Sequence, residues 1–403
     1  MVNPLFLESS TEKEHIQTSF IATMKLLWIA DIEFGSTIHQ VGELGTASAL
    51  SRKFWEIDFL SVDWEGDSKS FLEKLGFGSF PVHKTKIPGL GGLSFNRSVS
   101  KELPRILQSK RYDAILVEWH GSLGAIKALK RLEKDGFETP PFLFEDRSPP
   151  AKETILGKLQ WIHYDLSWKK SHGAASAIEV LVPGLESFVR ERFGELPPMV
   201  HCPSGVEVDR FVPKFMPLKS KVKIVHHGSL DSNRGLGRIE RFGKMLIDSG
   251  IDVEITIFGK GPLRKEFEKI SESLPWFTFL GEVEYDAVPE LIARNHFGIL
   301  PLPDRLPWRV GSPLKLMEYA SSGLPVLTTN VDGCLPFSGK SWVCAADKFD
   351  PFDEWHQCVR DFLENPVLFE NAAQQARIDA EKDLTWDKAV EELDSELRRI
   401  SNT

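Results

Sequence analysis

Apolar residues along this chain follow two rhythms. Short unbroken runs rich in Ile, Leu, Val and Phe alternate with longer stretches in which apolar residues recur every third or fourth position. The runs at residues 25–30 (KLLWIA), 57–62, 114–119 (AILVEW), 141–144 and 178–182 read as buried strands. The periodic stretches near 39–54, 101–108, 151–170 and 185–193 read as helices. The alternation restarts at 223–227 and continues through 253–258, 277–283, 297–302, 325–328 and 341–345, before three closing helices. Strands apolar on both faces and separated by helices pair in parallel, so the chain is α/β.

Between the two series lies 213–221, a Pro- and Lys-bearing linker. It divides the chain into a domain at 24–214, a second at 221–383 and a last helix at 384–403. Residues 1–23 are polar and acidic, without the apolar run of a signal peptide, and read as a loose extension.

Composition narrows the class. With 403 residues and 41% hydrophobic content the chain can build two or three ordinary cores. Its formal charge of -9 argues against a nucleic-acid partner, because no basic tract is present to neutralise phosphates. The acidity is uneven, about -2 before residue 215 and about -7 after it, so the first half tolerates contact with an anionic membrane surface better. Cys202, Cys334, Cys344 and Cys358 are widely spaced and predict reduced, buried thiols. No run approaches the roughly 20 apolar residues of a membrane span. A cytoplasmic protein, with peripheral contact at the inner membrane face, is expected.

The most informative stretch is 309–327, RVGSPLKLMEYASSGLPVL. Ser312 suits an N-cap, Pro313 the first helical position, Gly323 a left-handed C-cap, and Pro325 ends the helix. At about 100° per residue Glu318 shares a face with Leu314 and Lys315. That sets a carboxylate one turn behind a helix start that favours an anion; the plainer alternative is an exposed glutamate paired with Lys315. Elsewhere, Gly35 and Ser36 follow the first strand, as sites in nucleotide-type sheets do. Residues 114–119 deliver His120, and Glu145, Asp146, Arg147 and Ser148 close the next strand, either to bind hydroxyls or to hold one another. Trp161 and Trp168 read as core contacts.

Segment 309–327 resembles the signature of the retaining glycosyltransferases of family 4 (group 1), in which E-x7-E runs into Gly-x-Pro-Val. Glu318, Gly323, Pro325 and Val326 match, and Val310 stands at the first acidic position. Further segments resemble the family in order. YDAILVEWHGSLGA places His120 on the family's donor-facing histidine, and MVHCPSGVEVDRFVP keeps Gly205, Val206, Asp209, Phe211 and Pro213, with Ser204 in place of asparagine. Gly228 and Arg234 keep part of the diphosphate clasp, with Ser229 in place of its first cation. Gly259-Lys260-Gly261-Pro262 matches a turn before a helix, and Gly281-Glu282-Val283 the stretch that meets the base. Leu384-Thr385-Trp386 resembles the start of the helix that returns to the first domain.

The resemblance implies a GT-B fold, two Rossmann-like doubly wound domains facing a cleft. It implies sugar transfer, with retention, from a UDP or GDP type donor to an acceptor hydroxyl on a glycan, a lipid-linked glycan or a small molecule. His120, Arg234 and Glu318 are the implied catalytic residues. Gly228, Ser229, Gly259, Gly261, Glu282, Val283, Ser312, Leu314, Lys315 and Glu318 are the implied donor site, and Gly35, Ser36 and Arg147 the acceptor and phosphate loop. One cation, Arg234, would take the leaving diphosphate, with Asp304 or Arg309 replacing the acid lost at Val310. With no D-x-D suitably placed, no metal or other cofactor is expected. A nucleotide-sugar epimerase and a non-catalytic nucleotide-sugar-binding protein are the alternatives.

Overall fold

The computed structural model describes residues 23–35, 40–151 and 155–402. The extension at 1–22 and Ser36 lie outside them. Seven parallel strands form the first sheet: β1 (Met24–Glu33), β2 (Trp55–Val62), β3 (Gly78–Val82), β4 (Ala114–Glu118), β5 (Phe142–Asp146), β6 (Ala177–Val180) and β7 (Met199–His201), in the order β3-β2-β1-β4-β5-β6-β7. Six more form the second: β8 (Lys221–His227), β9 (Asp252–Phe258), β10 (Phe277–Phe279), β11 (Phe297–Leu300), β12 (Val326–Thr329) and β13 (Val343–Ala346), in the order β10-β9-β8-β11-β12-β13. Both orders reverse direction beside their first strand. The switch points fall between β1 and β4 and between β8 and β11, where doubly wound sheets open a crevice at their carboxyl ends.

Leu27, Ile29, Ile115, Val117 and Phe144 point to one face of the first sheet, and Leu26, Trp28, Leu116 and Leu143 to the other. The second face is closed from far along the chain. After the second domain, Thr385 bridges Val206, and the helices Trp386–Ala389 and Glu391–Ser401 place Trp386, Val390, Leu393 and Leu397 in that core. Gly45 makes room, since a Cβ there would stand 2.2 Å from the Trp386 ring.

Several boundaries differ from expectation. The Gly91–Ser109 helix begins ten residues before 101, because its glycine-rich first turns look like loop. β3 is a short edge strand containing Pro81, which hides its signal. Beyond β8 the chain makes a single tight turn at Ser232–Arg234 before the Gly237–Asp248 helix, with Gly235 left-handed between them. Pro313, not Ser312, caps the Leu314–Ser321 helix, and it makes no side-chain cap bond. Cys344 on β13 and Cys358 on the Phe352–Glu364 helix are joined as a disulfide, correcting the expectation of four thiols. Their strand and helix pack together, a proximity that spacing in sequence does not reveal. Cys202 and Cys334 are free and buried.

Candidate active site

β8 ends in His226-His227 and runs into Gly228, where the backbone is packed too tightly for a side chain. Gly228 has φ +104, and a Cβ on Gly259 would stand 1.9 Å from the Gly228 carbonyl oxygen. Gly259 and Gly261 therefore bring the ends of β8 and β9 together. The space beside Gly228 holds Lys315: a Cβ on this glycine would lie 2.5 Å from Cε and 2.8 Å from Nζ. Burial, reinforced by the nearby charge of Arg234 and partly offset by Glu318, pushes the Lys315 ammonium down to about 8.

Arg234 completes the cationic pair. Its guanidinium lies 4.6 Å over the Trp308 ring, and that indole donates to the Asn233 carbonyl at 2.9 Å. Burial lowers its pKa, with Asp231 opposing. Its Nε is buried with no hydrogen-bond partner and sits 3.9 Å from Asp231, which accepts a bond from the Ser229 hydroxyl. Two half-buried cations at a switch point, one with a spare N–H group on Arg234, suit a diphosphate.

Glu318 faces the same crevice, one turn along the helix from Lys315. Its Oε2 lies 3.1 Å from Nε2 of His227, whose ring stacks on Phe258 and meets Tyr319 edge-on. Glu318 is neither exposed nor within ion-pairing range of Lys315 as the plainer alternative requires; its side chain is 12% exposed. Glu282 is exposed and pairs with Lys260 at 2.9 Å, and Val283 packs on the second-domain core. Asp304 is held by Arg309 at 2.6 Å and Lys348 at 2.9 Å, so neither Asp304 nor Arg309 is free to replace the acid absent at Val310.

Val310 itself explains that loss. It is buried in the first-domain core with Leu181 and Leu185, while Leu306 packs beside it. Around it, the Ser312 hydroxyl accepts from the Ser204 amide at 3.0 Å, and Leu314 packs on the other first-domain core. Gly184 closes on the Arg309 carbonyl, leaving only 3.0 Å for an added Cβ. Ser312 and Leu314 thus join the domains, and this contact brings the carboxyl ends of both sheets to one cleft.

On the first-domain side, the Glu118 carboxylate accepts from the Asp31 amide at 2.7 Å and lies 3.5 Å from Nδ1 of His120. Lys84 holds the Asp31 carboxylate at 2.7 Å. Burial works against a charged His120, yet Glu118 and Asp31 together raise its pKa. Gly35, left-handed at φ +89, donates to the Gln40 side chain at 2.7 Å. Arg147 is buried between Glu145 at 3.4 Å and Glu43 at 3.7 Å, which places it under the sheet end as an internal counter-charge. Sequence reasoning missed His227, Trp308, Asp31, Glu118 and Lys84. Of these, His227 left a signal, a polar pair closing an apolar strand at the switch point.

This architecture is the GT-B fold: two facing parallel-sheet domains, tied by a returning helix. Residues 221–365, most of the second domain, match the family described as Glycosyl transferases group 1. The chain therefore combines a GT-B fold with a segment similar to the group 1 glycosyltransferases, as the motifs around Gly228 and Glu318 lead one to expect. Sucrose-phosphate synthase from Thermosynechococcus elongatus superposes with a TM-score of 0.72 at 12% identity, over 94% of this chain and 99% of that one. HepE from Anabaena, solved in complex with UDP, gives 0.70 at 13% identity over 93% and 100%. WaaG, a glycosyltransferase involved in lipopolysaccharide biosynthesis, gives 0.65 at 16% identity over 94% and 98%. A search of curated protein sequences found no match. No described helix is long and apolar enough to cross a membrane.

Proposed function

We propose that the protein transfers a sugar, with retention at the anomeric carbon, from a nucleotide diphosphate sugar to an acceptor hydroxyl. The observation that carries this reading is the placing of Lys315 against Gly228 with Arg234 near enough for its charge to act on Lys315. In the reaction the leaving diphosphate gains negative charge, and groups fixed in advance where charge develops lower the barrier most. Lys315 supplies a cation missing from the sequence motif at Ser229, so the clasp has two charges, delivered from two elements. With two protein cations at the phosphates, no divalent metal is required for charge neutralisation. Glu318, beside His227, accepts hydroxyls of the donor, and His120, backed by Glu118, faces the sugar from the first domain.

The leaving phosphate, on the same face as the incoming acceptor, takes the acceptor's proton. Solved relatives in fold, HepE with UDP and glucose among them, support a uridine diphosphate sugar as the first donor to test. The experiment is incubation with labelled UDP and GDP sugars followed by NMR of the product anomer. Lys315→Ala and Arg234→Ala should each lower turnover by about 100-fold or more while the fold persists. Unchanged turnover in both would sink the reading, and an inverted product would sink its stereochemistry.

A further inference from the structure

The Ile155–Ser171 helix is apolar on two opposite sides. Inward, Tyr164 and Trp168 are fully buried, and both donate to the buried Asp146 carboxylate at 2.6 and 2.8 Å. Outward, Leu159, Ile162 and Leu166 follow helical spacing along a face open to solvent, with Ile162 58% exposed. A second apolar group, Ile87, Leu90 and Leu93, stands exposed at the start of the Gly91–Ser109 helix, with Leu93 at 70%. The two groups adjoin through His163. Its Nδ1 lies against Gly92, 3.0 Å from where a Cβ would be, and its Nε2 is 3.1 Å from the Asn96 amide. The same Asn96 donates to the His120 carbonyl at 2.6 Å, so this apolar surface borders the first-domain wall of the cleft.

Its charge is opposite to that of the chain. Against a total of -9, residues 83–97 and 155–171 carry Lys86, Arg97, Lys158, Lys169 and Lys170, besides Lys84, which Asp31 neutralises, and a single acid. That acid, Asp165, is taken by Arg192 through bonds of 2.8 and 2.9 Å. Lys158, Lys169 and Lys170 are exposed on the flanks of the Leu159, Ile162 and Leu166 row. Aliphatic side chains framed by ammonium groups match the boundary of an anionic bilayer, where acyl chains lie beneath headgroup phosphates.

We propose that this face docks on a bilayer containing anionic lipid and holds the His120 side of the cleft against it. Given the transferase reading, on which this second step rests, the acceptor is then a lipid-anchored hydroxyl compound offered from the membrane plane. The docking itself is independent of that reading and is measured separately.

The test is flotation of the full chain with phosphatidylcholine vesicles, with and without about 30% phosphatidylglycerol. The protein should float only with the anionic vesicles and be released by about 0.5 M NaCl. The double change Ile162→Asp with Leu166→Asp, or Leu93→Asp alone on the other helix, should cut the floated fraction about tenfold or more. Melting temperature and UDP binding should stay unchanged, so that misfolding and loss of the donor site are told apart from loss of docking. No flotation with either vesicle, equal flotation of the wild type with both, or unaltered flotation of both variants would overturn the proposal. So would a concentration-dependent dimer that these substitutions dissolve, since a second copy would then cover the face.

Discussion

Oε2 of Glu318 lies 3.1 Å from Nε2 of His227, and the imidazole is fixed in turn by Phe258 and Tyr319. A carboxylate aimed by an immobile ring keeps one orientation toward a ligand, which lowers the reorganisation needed on binding. His227→Phe should therefore lower kcat/KM by about tenfold with the donor's nucleotide still bound, while Glu318→Gln should cost more. Steady-state kinetics beside UDP titration check this, and equal losses in both measures would reassign His227 to folding.

Lys315 gives the donor site a pH dependence. Its ammonium, pushed down to about 8 mainly by burial, is charged below that pH and neutral above it. An arriving diphosphate favours the charged form, so binding above pH 8 must take up a proton. UDP affinity should hold steady from pH 6 to 7.5 and weaken by up to about tenfold per pH unit above 8. Lys315→Arg, which stays charged, should flatten the curve, and calorimetry in buffers of different ionisation heat should count the proton.

Gly228→Ala strikes the same place through the backbone. The residue has φ +104, and the new methyl would meet Lys315 Cε at 2.5 Å. Strain of about 1–3 kcal/mol is expected, together with displacement of the ammonium. The melting temperature should fall by a few degrees and UDP affinity should fall further than Lys315→Ala alone explains.

At Val310, restoring the family's acid should harm rather than help. Val310→Glu would push a carboxylate into the first-domain core beside Leu181 and Leu185. The cost is roughly 2–4 kcal/mol at neutral pH. Chemical denaturation should show the loss, with no gain in turnover.

Buried acids in the first domain set a second pH effect. Burial is the main cause that pushes Glu43 up to about 7 and Glu145 up to about 8, with Arg147 opposing in both, and Glu179 rises well above its usual range. Both Glu179 oxygens are buried without partners. Raised carboxyls bind protons more tightly folded than unfolded, so their contribution is fully present at acid pH and lost as pH rises through the folded values. The melting temperature should therefore decline from about pH 5 to pH 8, and Glu179→Gln should reduce that slope.

Much of this was legible in the residues. Apolar runs such as KLLWIA and AILVEW marked the central strands because a strand buried on both faces admits little else. Glu318, Lys315 and Gly228 could be named because helical period and the glycine turn place them whatever lies around them. What escaped depended on distant partners. Arg147 looked available until Glu43, from a helix a hundred residues earlier, enclosed it. Val310 read as a lost ligand, and only the domain contact shows why an apolar side chain stands there. The Cys344–Cys358 bond likewise arises from a strand and a helix meeting after a turn that spacing alone cannot fold.

The helices at Trp386–Ala389 and Glu391–Ser401 seal one face of the first sheet, though about 180 residues separate them from β7. During synthesis that face has only the cover of early residues such as Ala47, Leu50 and Leu72 while the whole second domain emerges. Trp28, Leu116 and Leu143 share this core with Ala47 and Leu50 of the Val41–Arg52 helix, and gain the rest of their cover only once residues 386–400 have been made. The two lobes are therefore obliged to mature in reverse order, the later one complete before the earlier, and a chain cut short before Trp386 should persist as a half-finished species that chaperones bind.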